Sequence, residues 1–129
     1  MEPIKDYREL IVWKKSIELI KEVYKLINLL PKEETFALAN QMRRSSVSIA
    51  SNIAEGAARS GEKDFLHFLS IALGSEYELQ TQLIVCGELG YFSSEKSIAA
   101  INLCNEVGKM LNSMMKRLKT SHQPLATSN

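Results

Sequence analysis

Residues 41–59 read QMRRSSVSIASNIAEGAAR. Wound as a helix, this stretch aligns Gln41, Ser45, Ser48, Asn52, Glu55 and Arg59 in one row, spaced 4, 3, 4, 3 and 4 residues apart. That is the step of a helix seam. Such a seam is usually apolar, and this one is polar from end to end. Either the row faces water, or it is buried and satisfied by partners, which would mark an assembly or binding surface. About 100° around the same helix, Met42, Ile49, Ile53 and Ala57 form an apolar seam. The helix can therefore dock with one face and present the polar row on another. Ser45 and Ser48 are small enough to let another backbone approach. Asn52 can both donate and accept. Glu55 precedes Arg59 by four residues, the favourable order for an intrahelical ion pair.

Outward from this stretch, breakers divide the chain. Pro31 stops one helical pattern and opens the next, and Ser60-Gly61 ends that one. Gly90 suits a left-handed helix terminus. Ser60 resembles an N-cap, and so do Ser93 and Ser94. The pattern predicts helices over about residues 10–30, 32–59, 62–89 and 95–119. Short connections make sequence neighbours antiparallel. The expected fold is all-α, an up-down-up-down antiparallel four-helix bundle over residues 1–119, with a flexible polar tail over 120–129.

The first helix carries two apolar seams, Trp13, Ile17, Ile20, Tyr24 and Ile27 beside Val12, Leu19, Val23, Leu26 and Leu30. Together they exceed what one bundle interior needs, which argues for self-association or for a first helix buried deeply in the monomer. The third helix offers Leu66, Leu69, Leu73, Leu79, Leu83 and Cys86, and the fourth Ile101, Cys104, Gly108, Leu111, Met115 and Leu118. Gly56 and Gly74 inside helices mark either a close-packed neighbour or a local kink or end.

The 129 residues suit one domain with a modest core. With 45% hydrophobic and 24% charged residues the composition is that of an ordinary folded protein, which argues against disorder. A net charge of +1 sets up no global field demanding nucleic acid or membrane. Cys86 and Cys104 fall in apolar patterns and read as reduced core thiols. The N-terminal MEPIKDYREL lacks a signal pattern and no apolar run is long enough to span a bilayer, so the expected location is cytoplasmic, with no membrane partner.

Catalytic signatures are weak. A two-metal carboxylate site in a helix bundle needs two Glu-x-x-His motifs and two further glutamates. This chain has one carboxylate-x-x-His, Asp64 to His67, and its other histidine, His122, lies in the tail. Glu55 and Glu78 would make a carboxylate pair if their helices face each other. No phosphate-cradling loop, Cys-x-x-Cys pair or Ser-His-Asp set occurs. The expectation is no catalytic residue, no metal and no cofactor.

Gln41-Met42-Arg43-Arg44, Ser48-Ile49, Asn52-Ile53-Ala54-Glu55-Gly56 and Arg59 together resemble the signature of the four-helix-bundle proteins encoded by intervening sequences in bacterial 23S ribosomal RNA genes. The resemblance extends upstream through Tyr7, Leu10, Val12, Trp13, Leu30-Pro31 and Glu34. Downstream it takes in Asp64-Phe65, Phe68-Leu69, Ala72, Gly74-Ser75, Glu78 and Leu89-Gly90-Tyr91. It covers about residues 7–118. It implies a bundle that assembles as a ring-shaped homopentamer. It also implies kinship with the accessory variability protein of diversity-generating retroelements, which works beside a reverse transcriptase and binds nucleic acid through basic residues on its barrel. The family's biochemical role is poorly defined.

This chain departs from that relative in being nearly neutral. Its segments 1–31, 32–60, 61–92 and 93–129 carry +1, +1, −4 and +3. The candidate nucleic-acid contacts are Arg43, Arg44 and Arg59 on the second helix and Lys109, Lys116 and Lys119 on the fourth, repeated around any ring. Read singly, late lysines on a helix are solvated and complement its dipole. The candidate interface residues are Gln41, Ser48, Asn52, Glu55, Gly74 and Glu78. The sequence thus supports a non-enzymatic oligomeric scaffold for RNA, DNA or a nucleic-acid enzyme. The competing reading is a purely structural protein–protein module.

Overall fold

The structure, a computed structural model, describes residues 4–121. It contains four long helices: α1 (Ile11–Ile27), α2 (Leu38–Ala57), α3 (Glu62–Glu88) and α4 (Ser94–Ser121). Short 3₁₀ turns at Tyr7–Glu9 and Lys32–Glu34 precede α1 and α2. No described residue lies in a strand.

Two boundaries differ from the sequence expectation at the first connection. α1 ends at Ile27, because the N–H groups of Leu29 and Leu30 turn back to carbonyls three residues earlier, Leu26 and Ile27, ahead of Pro31. α2 begins at Leu38 and not at residue 32, since Ala37 leaves helical geometry at φ −121°, ψ −106°. Glu34 directs this. Its carboxylate accepts the Leu38 N–H at 3.4 Å and the Tyr91 hydroxyl at 2.7 Å. It thereby serves the exposed N–H end of α2 and ties the α1–α2 connection to the α3–α4 connection. The same hydrogen bond holds the Tyr91 phenol above its usual pKa.

The second and third connections follow local rules. α3 is capped by the extended backbone of Gly61, with no side-chain bond, and not by Ser60. It stops in a Schellman turn: Gly90 takes φ +78°, Tyr91 N–H bonds Cys86 carbonyl and Gly90 N–H bonds Gly87 carbonyl. Ser93 then caps α4 by accepting the Lys96 N–H at 3.2 Å. α4 continues through Ser121, two residues past the expected end. The rest of the tail, with His122, lies outside the described residues.

Among the described residues, α1 packs on α2 and α4, and α3 packs on α2 and α4, while the backbones of α1 and α3, and of α2 and α4, do not approach closely and these pairs are diagonal. The core between them is built from seams at helical spacing, including Leu19 and Val23 of α1, Met42, Ile49 and Ile53 of α2, Leu69 and Leu79 of α3, and Val107 and Leu111 of α4. Ser16 fills the one polar place in the inner seam of α1 and donates to the Trp13 carbonyl at 2.6 Å. The second α1 seam is half-buried at Trp13, Ile17 and Ile20, buried at Ile27 and exposed at Tyr24. Most of the apolar surplus expected there is thus covered by the chain itself.

A close helix contact lies between α2 and α3. A Cβ built at Gly56 would come within 2.8 Å of Phe68 Cβ and 2.9 Å of Phe65 Cδ1. Neither neighbour is the free end of a flexible chain that can swing away. Gly56→Ala should therefore overpack this contact by about 1–3 kcal/mol, offset in part by the roughly 1 kcal/mol that alanine gains over glycine in a helix. The expected outcome is a lower urea midpoint with an unchanged slope. A midpoint equal to or above wild type would contradict the close contact.

Candidate functional site

The polar row of α2 forms a seam against α3. Ser45 is buried and donates to Gln82 Oε1 at 2.8 Å. The hydroxyls of Ser48 and Ser75 are 2.8 Å apart. Asn52 turns its amide back to Ser48, donating to the carbonyl at 2.8 Å and the hydroxyl at 3.0 Å. Residue numbers rise along α2 as they fall along α3 through these pairs and the Gly56 contact. The middle of the row is thus buried at Ser45 and half-buried at Ser48 and Asn52, with the two serines bonded to the third helix and Asn52 to Ser48. Only its ends, Gln41, Glu55 and Arg59, are exposed. Arg59 bonds Glu55 at 3.0 Å and its guanidinium lies 4.8 Å from the Phe68 ring centre. At this exposure the ion pair contributes only about 0.3–0.5 kcal/mol.

Of the six proposed interface residues, Ser48 and Asn52 therefore make intrachain bonds, Glu55 pairs with Arg59, and Gln41, Gly74 and Glu78 are exposed. Gly74 meets no atom within 4 Å of a built Cβ, so no contact among the described residues accounts for a glycine there. Around it on the outer face of α3 stand Ile71, Tyr77, Ile84 and Val85, with Tyr77 53% and Ile84 54% exposed. The unpaired apolar surface lies here more than on α1.

The six basic candidates divide into two sets on diagonal helices. Arg43 is half-buried and Arg44 exposed on α2, Arg59 is exposed in the turn after α2, which ends at Ala57 and not at residue 59, while Lys109, Lys116 and Lys119 are exposed on α4. The α4 set lies in one row with Asn105 and Asn112, at spacings of 4, 3, 4 and 3 residues. Asn105 accepts a bond from Gln80 of α3 at 3.1 Å, which places this row on the α3 side of α4. None of the three lysines makes an ion pair among the described residues.

His67 is exposed, its ring edge-on to Phe68 with centroids 5.5 Å apart. Among the described residues no three His, Cys, Asp or Glu side chains are grouped to hold a metal ion. No helix there is long and apolar enough to cross a membrane.

One residue stands outside every expectation. Glu76 is 1% exposed, within the α3 seam of Leu69, Ala72, Leu79, Leu83 and Cys86. Its Oε2 has no hydrogen-bond partner. Its Oε1 occupies the space that a side chain at Gly108 of α4 would fill. Burial pushes its pKa up to about 7. The neighbouring Cys104 thiol is pushed up to about 12 by burial, with Glu76 adding to it. Burial likewise raises Cys86 to about 11, with Glu34 adding to it. Two sequence signals existed for this pair. An acid sits in register with the apolar seam of α3, and a glycine sits in the apolar seam of α4.

The Ser45–Gln82 pair has a measurable consequence. Ser45→Ala leaves the buried Gln82 Oε1 without its donor, so denaturant unfolding should show a loss of about 1–3 kcal/mol. Ser48→Ala, at a half-buried pair, should lose less. Equal and negligible losses would show that the seam does not hold α2 on α3.

Among curated proteins, none matches the chain. A solved structure from Bacteroides thetaiotaomicron, described as a protein with unknown function from the S23 ribosomal protein family, is 30% identical. It aligns over 82% of this chain and 99% of its own length, with a TM-score of 0.76. Residues 8–113 match the family of 23S rRNA-intervening sequence proteins. Since that match takes in all of α1, α2 and α3 and most of α4, the chain belongs to the 23S rRNA-intervening sequence protein family.

Proposed function

We propose that this protein is a non-enzymatic scaffold, an up-down-up-down bundle that assembles with copies of itself through the outer face of α3. The observation that carries this reading is Gly74. It sits mid-helix, exposed, with open space above it, and is flanked by exposed Ile71, Tyr77 and Ile84. A glycine there costs roughly 1 kcal/mol against alanine in the isolated helix. Close approach of a second chain gives it a reason. The resemblance drawn from the sequence makes a ring of five the expected assembly. A surface that pairs with a different patch on the next copy closes into a ring or runs on as a filament.

Nucleic acid is the partner this reading assigns to the α4 row of Lys109, Lys116 and Lys119. Repetition around an assembly would multiply a three-lysine row into a continuous basic edge. Arg43 and Arg44 on the diagonal helix, with Arg59 just past its end, would make a separate contact. A reverse transcriptase or another nucleic-acid enzyme is a further candidate partner. The near-neutral charge and the division of basic residues between diagonal helices favour the second reading, a protein–protein module that binds no nucleic acid.

Two measurements separate these. Light scattering should give a multiple of the chain mass for wild type and the single-chain mass for Gly74→Leu, which has room to fold as a monomer. An unchanged mass removes the α3 face from the interface. Gel-shift titrations with structured RNA and with DNA should show binding that weakens steeply as salt rises. The double variant Lys109→Glu/Lys116→Glu should abolish it without changing the mass. No shift at low salt leaves the protein–protein reading standing.

A further inference from the structure

A carboxyl group in an apolar interior is stable there only if it is neutral or fully partnered. One oxygen of the Glu76 carboxyl, Oε2, is buried with no hydrogen-bond partner, and no ion pair involves Glu76 among the described residues. The buried residues of α1 and of α2 include no titratable group. On α4 the buried titratable neighbour is the Cys104 thiol. The half-buried charges on flanking helices are engaged elsewhere or do not reach it. Lys15 pairs with Glu106 and Glu18, Glu22 pairs with Lys25, and among the described residues Arg43 forms no ion pair with Glu76. On α3 itself, Tyr77 and Glu78 point to solvent. Nothing nearby compensates a negative charge.

We propose that Glu76 is a proton-operated latch between α3 and α4, which closes on Gly108 when the carboxyl is protonated and parts there when the proton leaves. The site of opening follows from the two joints that α3 makes. On the α2 side, Gly56 is wedged against Phe65 and Phe68, and Ser45–Gln82 and Ser48–Ser75 fix the register. On the α4 side, the polar tie is the exposed Gln80–Asn105 bond. Gly108 presents no side chain to hold the carboxyl in. Glu76 lies in mid-helix, so it cannot reach water past a helix end, and the α3–α4 joint is the shorter way out. The direction with pH follows from proton binding. The closed state holds its proton up to about pH 7 and the open state only to the ordinary 4.5. Closure is therefore strongest below that lower value, weakens as pH rises between the two, and levels off above about 7.

Cys104, one helical turn from Gly108 and fully buried, reports the opening, and buried Cys86, beside Met42 of α2, serves as control. Alkylation of the intact protein, read by peptide mass spectrometry as the Cys104/Cys86 rate ratio, cancels the common pH dependence of thiolate formation. The ratio should rise about tenfold between pH 6 and pH 8 in wild type and stay level in Glu76→Gln. If Glu76→Gln does not fold, amide hydrogen exchange on wild type decides, after correction for intrinsic exchange. Protection over residues 104–112 should fall with pH relative to residues 49–56. A level Cys104 ratio in wild type, a rise of equal size in Glu76→Gln, or unchanged relative protection over 104–112 would each overturn the latch.

Discussion

At Gly56 the backbone of α2 rests against the side chains of Phe65 and Phe68, closer than any residue with a Cβ allows. That approach brings the Ser45 and Ser48 hydroxyls within bonding distance of Gln82 and Ser75. The hydrogen bonds add only about 1 kcal/mol each in net terms, but a buried polar atom left without its partner costs more. They therefore select a register more than they drive association. Sliding α3 by one turn, about 5.4 Å, would separate both pairs and set Phe65 or Phe68 against a side chain. Once α2 and α3 are fixed in this way, α1 and α4 each bury a stripe against both remaining flanks. The inner seam of α1 and the Cys104–Leu111 stretch of α4 then fall opposite each other.

Much of this was legible in the sequence. Gly90 ends α3 by a rule that depends on backbone geometry alone, and Pro31 marks a break between the first two helices, though not their bounds, for the same kind of reason. Elements whose local preference conflicts with a distant contact were misread. Residues 32–37 carry good helix formers, yet Glu34 is engaged by Tyr91, 57 residues away, and by the first N–H of α2. The helix consequently starts after it. Ser60 looked like the cap of α3 because its side chain could serve, whereas Gly61 supplies the extended backbone without one. The polar row was legible as a helix face. Its partner was not, because Gln82 and Ser75 lie on a different periodic segment and neither is apolar.

The placement of polar groups also decides where function lies. The middle of the α2 row is engaged within the chain, Ser45 and Ser48 by α3 and Asn52 by Ser48. The core seams are filled mostly by apolar side chains, with two thiols, a few hydrogen-bonded polar groups and one acid. The proposed contacts with other molecules are placed on outer faces. The two that differ from ordinary solvated surface are the apolar stripe around Gly74 on α3 and the lysine row on α4. These two faces lie on adjacent helices joined by the Gln80–Asn105 bond. A change in how α3 sits on α4 would move one relative to the other.

Glu76 lies inside that joint, and its chemistry is hard to explain by packing alone. Gly108 leaves a hollow in the face of α4, and a side chain at position 76 fills it. Leucine, of similar reach, would fill the same hollow without desolvating a carboxyl, and replacing buried ionisable groups by apolar ones is often neutral or stabilising. Shape therefore accounts for a large residue at 76 and a glycine at 108, but not for the acid. What the acid adds is a dependence on protonation. The lone Oε2 and a pKa pushed up to about 7 put that dependence near neutrality. The acid is placed at the weaker joint of α3 and not at the one held by Gly56. A proton can thus act on the relation between α3 and α4 while the α2–α3 register stays intact.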